Sequence, residues 1–256
     1  MATDRIAAAF AENGKRAALM PYLMGGYPSV EESRAAGLAC ADAGADLLEL
    51  GVPFSDPLAD GPVIHAAATD ALAAGVTPLQ VLEVCRALSE RVPVVLMAYA
   101  NLVLGHSGFV DRAAAADAAG VIVPDLPHDE AGELRCLCDE RGLALVPLAA
   151  PTTSDERLRE IGRDARGFVY TVSLAGTTGE RAELPPELER TVARVRAASD
   201  LPVAVGFGIS TPEQARAVGE VADGVIVGSR LVRAAGEGGA AAVGELVAEL
   251  ADALSG

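Results

Sequence analysis

The stretch LELGVPFSDPLADGP, Leu48 to Pro62, sets one carboxylate inside an apolar run and two more in the proline-broken loop behind it. If the run is a strand, alternation sends Leu48 and Leu50 to one face and Leu47, Glu49 and Gly51 to the other. A carboxyl group held among apolar side chains binds its proton more tightly, which suits general acid–base chemistry. The competing role for Glu49 is structural, as the partner of a buried arginine. The other apolar runs of the chain offer neither arginine nor lysine for that pairing. Asp60 stands just before a helix that should begin near Pro62, so it reads either as a cap or turn residue or as a second working carboxylate. Asp56-Pro57 is a turn signal in its own right.

A second kind of chemistry is written later in the chain. Leu174-Ala175-Gly176-Thr177-Thr178-Gly179, Gly206-Phe207-Gly208-Ile209-Ser210 and Gly228-Ser229 each follow an apolar run. Glycines let backbone N–H groups approach an anion closely, although turns need glycine too. Gly228-Ser229 opens a short helical stretch, RLVRAAG, and a helix N-terminus adds unpaired donors and a favourable dipole. Phosphate is the anion these features fit. Tyr170, in another apolar run, either brings a polar tip to the carboxylates or is a core aromatic with a bonded hydroxyl.

Several chemistries are disfavoured by what is missing. The one lysine, Lys15, precedes the first apolar run, so a Schiff-base lysine is not expected. His65, His106 and His128 lie outside the apolar runs and are not spaced as metal ligands, so no metal site is expected. Cys40, Cys85, Cys136 and Cys138 fall in helical segments and read as small core residues. The formal net charge of −16 argues against a sequence-independent nucleic-acid binder. It also means that an anionic ligand must be held by local donors against the overall field.

The elements that must position these groups repeat one pattern. Apolar runs at 17–25, 46–52, 93–100, 120–126, 143–150, 167–173, 202–209 and 223–229 alternate with alanine-rich helical segments. Runs without polar alternation are strands buried on both faces, and strict strand–helix alternation means a parallel sheet. Eight such units in 256 residues predict a single (β/α)8 TIM barrel spanning 1–256, with an extra N-terminal helix and additional helices near the C-terminus, one at about 240–254. An open dinucleotide-binding sheet is the alternative, but Gly25-Gly26-Tyr27-Pro28 after the first strand does not match its glycine pattern. Ser29 and Thr211, the latter followed by Pro212, are candidate helix caps, and Gly44, Gly75, Gly120 and Gly142 are candidate helix ends. No run is long enough for a membrane span, which needs about 20 apolar residues, and the N-terminus lacks signal-peptide features. A cytoplasmic protein with no membrane partner is expected. Barrel chemistry gathers at the C-terminal ends of the strands, where Glu49 and the glycine clusters fall.

LELGVPFSDPLADGP closely resembles the signature of the tryptophan synthase alpha subunit family. GGYPS (25–29), YANLV (99–103), PDLP (124–127), AGTTG (175–179), GFGIS (206–210) and VGS (227–229) follow in that family's order and spacing, so the resemblance covers essentially the whole chain. It implies a (β/α)8 barrel lyase that cleaves indole-3-glycerol phosphate to indole and glyceraldehyde 3-phosphate in the last stage of tryptophan biosynthesis. It implies Glu49 as acid–base and Asp60 as acceptor of the indole N–H. By the same resemblance Tyr170, Tyr22, Met97, Ile122, Leu148 and Phe207 contact substrate, and Gly179, Gly208, Gly228 and Ser229 hold phosphate. No cofactor is implied in this chain. Pyridoxal phosphate belongs to a beta subunit, with an alpha2-beta2 heterotetramer as the assembly and Asp56 and Pro57 as candidate contacts. Two mobile loops are implied, 53–60 and about 176–184.

The chain departs from common family patterns at Met24-Gly25-Gly26-Tyr27, Tyr22, Pro124 and Leu174. The alternatives at this point are another phosphate-binding barrel isomerase or epimerase, and a catalytically silent subunit that activates a partner.

Overall fold

The computed structural model describes residues 2–105, 108–172, 187–206 and 208–256. Among these residues nine strands run in chain order: β1 Ala18–Met24, β2 Leu48–Gly51, β3 Val94–Met97, β4 Gly120–Ile122, β5 Ala144–Val146, β6 Leu148–Ala149, β7 Val169–Val172, β8 Val203–Gly206 and β9 Gly224–Val227. All pair in parallel in one sheet, in the order β5-β4-β3-β2-β1-β9-β8-β7-β6. The two ends of that order, β5 and β6, are consecutive on the chain. The sheet therefore curls round until only Pro147 separates its edges. Each strand lies within one of the eight apolar runs, and the fifth run is divided because proline has no N–H for the ladder. Its carbonyl still accepts from the Tyr170 N–H at 3.0 Å, which ties the break to β7.

The helices before, between and after these strands are α1 Ala2–Ala11, α2 Val30–Asp42, α3 Pro62–Ala73, α4 Pro78–Ser89, α5 Ala100–Gly105, α6 Phe109–Ala115, α7 Gly132–Glu140, α8 Asp155–Asp164, α9 Leu188–Arg196, α10 Pro212–Gly219 and α11 Ser229–Leu254. Gly239 breaks α11 with φ 61° and ψ −154°, dividing the short stretch after β9 from the terminal helix. Ser29 accepts from the Glu32 N–H at 3.1 Å at the start of α2. Thr211 and Gln214 cap α10 reciprocally, with Pro212 in the first turn. Gly44, Gly75 and Gly142 take positive φ just past α2, α3 and α7. Gly120 does not end a helix. It opens β4, where a Cβ would stand 2.6 Å from the Ala144 carbonyl oxygen, so its smallness allows two strands to approach. The left-handed residue beyond α6 is Asp117, at φ 58°.

The alternation read from β2 holds through the core. Leu48 and Leu50 pack outward with the helices, and Leu47 packs inside the barrel with Met20, Val95, Ile122, Phe168 and Ile226. Ile6 of α1 joins this interior layer and Phe10 meets Phe168 with ring centroids 5.6 Å apart, so α1 covers the barrel's N-terminal end. Lys15 is structural: its ammonium donates to Asp46 at 2.8 Å and to the Gly44 carbonyl at 3.0 Å. Cys40, Cys85 and Cys138 are buried, whereas Cys136 is exposed on α7 and is no core residue. No single helix among the described residues is long and apolar enough to cross a membrane.

Candidate active site

The C-terminal ends of β1, β2, β3, β7, β8 and β9 converge on a cavity of about 50 Å³ lined by Tyr22, Glu49, Asp60, Ile64, Met97, Tyr170, Gly206, Gly208, Ile226, Gly228 and Ser229. Glu49 is 2% exposed, and neither carboxyl oxygen has a hydrogen-bond partner among the described residues. Burial pushes its pKa up to about 8, with the nearby Asp60 charge adding to the rise. At neutral pH the group is a carboxylic acid with a proton to give.

Asp60 arrives from the loop after β2 and stops one residue short of the Gly61 cap of α3, so it does not cap that helix. It is buried at 9% exposure, more enclosed than its loop position suggested. Burial raises its pKa, opposed by a hydrogen bond from the Tyr99 hydroxyl and by the His65 imidazole. The Tyr99 hydroxyl also accepts the Ala59 N–H at 3.1 Å, and its ring stacks on Phe54 at 5.1 Å between centroids. Tyr99 thus holds both ends of the short turn that presents Asp60. The sequence reading quoted YANLV without giving this tyrosine a role, because an aromatic at the end of an apolar run looks like core.

Two tyrosines frame the acids from opposite sides. A Cβ at Gly51 would lie 2.1 Å from the Tyr22 Oη, and a Cβ at Gly206 would lie 2.6 Å from the Tyr170 Oη. Both glycines therefore leave room for a phenol tip pointing along the strand ends. Burial raises both phenols well above the ordinary value, with the Glu49 and Asp60 charges contributing, so both stay protonated. Ile64 and Ile226 are lining residues to which the sequence reading gave no role, and Gly206 had entered only within a glycine cluster fitted to an anion. Ile64 reaches the cavity because α3 lies over the mouth, which strand patterning alone does not reveal.

The anion side is built from β8 and β9. Gly208 has φ 71°, a backbone state that favours glycine. Gly228 precedes α11, and Ser229, its first residue, is buried at 6% exposure beside the cavity. The first N–H groups of a helix have no acceptor within it, so this end offers donors and the positive end of the dipole. Among the described residues, no arginine or lysine lines the cavity. Local backbone donors are what a chain of net charge −16 requires here.

The remaining candidates fall elsewhere. Ile122 is buried in the barrel interior and Leu148 packs against the same layer, neither lining the cavity. Leu148 and Pro124 instead line a larger cavity of about 340 Å³ between β5, β6 and α8, which lacks Glu49 and Asp60. The chemistry, not the size, selects the smaller one. Asp56 is exposed on the 53–60 loop, accepting from the Ser55 hydroxyl at 2.5 Å, and Pro57 is half-buried beside Leu58, which is 81% exposed. Gly179, Phe207, His106 and the 176–184 loop lie outside the described residues. Among the described residues, no cluster of three or more His, Cys, Asp or Glu side chains is placed to hold a metal ion.

The profile of the family described as "Tryptophan synthase alpha chain" matches residues 8–253. The tryptophan synthase alpha chain of Lactiplantibacillus plantarum is 45% identical over 219 residues, covering 84% of this chain and 83% of its own length. That of Geobacter sulfurreducens is 44% identical over 257 residues, covering 98% and 97%. Among solved structures, Mycobacterium tuberculosis tryptophan synthase superposes with a TM-score of 0.93 at 40% identity, over 98% of both chains.

Proposed function

The chain belongs to the tryptophan synthase alpha chain family, and from that membership we propose how its barrel mouth performs the family's reaction. That reaction is the cleavage of indole-3-glycerol phosphate in tryptophan biosynthesis, and the enzyme is a lyase. The alpha chain needs no cofactor, pyridoxal phosphate residing in the beta subunit.

Glu49 begins the cycle protonated and gives its proton to the indole carbon that bears the glycerol chain. Asp60 accepts a hydrogen bond from the indole N–H and stabilises the positive charge that develops on the ring. The Glu49 carboxylate then takes the proton of the glycerol hydroxyl. The carbon–carbon bond breaks, its electron pair returns to the indole ring, and the aldehyde of glyceraldehyde 3-phosphate forms. Glu49 ends protonated again, so one carboxyl group serves as acid and then as base. Gly208, Gly228 and Ser229, with Gly179, hold the phosphate by backbone donors and the α11 dipole. Met97, Ile122, Leu148 and Phe207 join Tyr22 and Tyr170 around the ring. A cavity of about 50 Å³ is smaller than the roughly 300–1,000 Å³ of ligand pockets, so these side chains part on binding.

The observation that carries this reading is the buried Glu49 carboxyl, without a hydrogen-bond partner among the described residues and held protonated near neutral pH. A beta subunit docks on the mouth through the 53–60 loop, with Asp56 and Pro57 as contacts, in an alpha2-beta2 assembly. The 81% exposure of Leu58 in that loop supports this, as does likeness to solved tryptophan synthases. Residues 1–256 act as one barrel domain.

The test is direct. Given indole-3-glycerol phosphate, the purified chain releases indole and glyceraldehyde 3-phosphate in equal amounts, faster when the beta subunit is added. Absence of indole in both mixtures would overturn the catalytic assignments, and equal rates in the two would overturn the docking role of the loop.

A further inference from the structure

Glu49 poses a problem that its role as acid does not solve. Once the proton has left, a buried carboxylate remains with no donor to either oxygen among the described residues. A buried charge left without a donor is costly enough to stop the first step. Some group must turn toward it as the charge forms.

The geometry points to Tyr22. Tyr22 of β1 stands directly opposite Glu49 of β2 in the register. Its Cβ and Cδ1 lie 3.7 Å from where a Cβ of Gly228 would be, and its Oη lies over Gly51. The ring thus runs from beside Gly228 to Gly51, on the strand that carries Glu49. Gly51 is two residues beyond Glu49 on the same face of the strand, about 7 Å along, within the combined reach of a phenol and a glutamate side chain. We propose that the Tyr22 hydroxyl donates a hydrogen bond to the Glu49 carboxylate formed when its proton passes to the indole carbon. This makes Tyr22 a positioning residue of the acid–base cycle and rests on the role given to Glu49 above. No proton leaves Tyr22: its phenol stays protonated throughout, and the glycerol hydroxyl returns the proton to Glu49. The other titratable groups facing this point are Asp60, Tyr99 and Tyr170, with His65 behind Asp60. Tyr170 also faces Glu49, whose charge raises its phenol more than that of Asp60 does, but its Oη sits over Gly206 of β8, while Tyr99 is engaged by Asp60 and Ala59. This leaves Tyr22 as the phenol beside Glu49 on the neighbouring strand.

Tyr22→Phe removes the hydroxyl alone and tests this. The expected result is a fall in kcat of about tenfold, with KM for indole-3-glycerol phosphate within about twofold. The high-pH limb of kcat, which reports Glu49, moves up by about one pH unit because the ionised form has lost its donor. An unchanged urea midpoint shows the fold intact. Unchanged kcat and limb, or a raised KM with an unmoved limb, would overturn the proposal in favour of an apolar wall or a direct substrate contact. If wild type cleaves, Glu49→Gln is silent and Tyr22→Phe matches wild type, this inference alone falls. If Glu49→Gln remains active, the role of Glu49 falls with it.

Discussion

Glu49→Gln lowers kcat for indole release by at least about 10³-fold while leaving the chain folded and more stable at neutral pH than wild type. The loss follows from chemistry, since an amide neither gives nor takes the proton that the reaction moves, and general acid–base catalysis is worth about 10²–10⁴-fold. The gain follows from burial. An exposed glutamate loses its proton near 4.5, but in the folded chain Glu49 keeps it up to about 8. Between those values the folded state binds more protons than the unfolded one, so stability falls as pH rises. The contribution is fully present below 4.5, costs roughly 3 kcal/mol by pH 7, and is lost by about 8. Glutamine carries no such penalty. Urea unfolding of both forms at pH 5 and pH 8 checks it: the variant gains on wild type as pH rises. Activity retained within tenfold of wild type would sink the assignment.

Asp60→Asn is expected to lower kcat by about 10²-fold or more. Asparagine preserves shape and can still accept the Tyr99 hydroxyl, so the 53–60 loop keeps its seat. What disappears is the negative charge beside the indole nitrogen, a transition-state stabilisation of the kind that costs 10²–10³-fold when removed. The same substitution has a second signature. The Asp60 charge helps hold the Glu49 pKa up, so its removal lets Glu49 ionise more readily. The high-pH limb of kcat moves down, the opposite direction from Tyr22→Phe. A kcat–pH series on the two variants separates these effects. A variant with an unchanged rate and limb would leave Asp60 as no more than a turn residue.

The fold was legible because strands buried on both faces carry nearly unbroken apolar runs, and Glu49 stood out as a charge inside one. What the pattern could not resolve was interruption and approach. LALVPLAA reads as one strand by hydropathy, yet Pro147 divides it, and that proline was the only warning. Gly120 follows an alanine-rich helix and looked like its end, but its real constraint is the Ala144 carbonyl on the neighbouring strand, a contact distant in sequence. Asp60 looked loose because it lies in a loop. Its enclosure comes from Tyr99, about 40 residues away, which no local signal couples to it. Ile122 and Leu148 were placed around the ring by resemblance. In the folded chain they pack in the interior layer that also holds Met97, a lining residue, so they meet the ring once the lining side chains part.

The central claim is that the barrel holds Glu49 protonated at the pH where the enzyme works. It is tested most directly by carbon-13 NMR of the glutamate carboxyl carbons across a pH titration, with Glu49→Gln identifying the signal by its absence. The account predicts a Glu49 resonance that titrates near 8. A resonance that titrates near the ordinary glutamate value of 4.5 would contradict it, leaving a carboxylate with no proton to give.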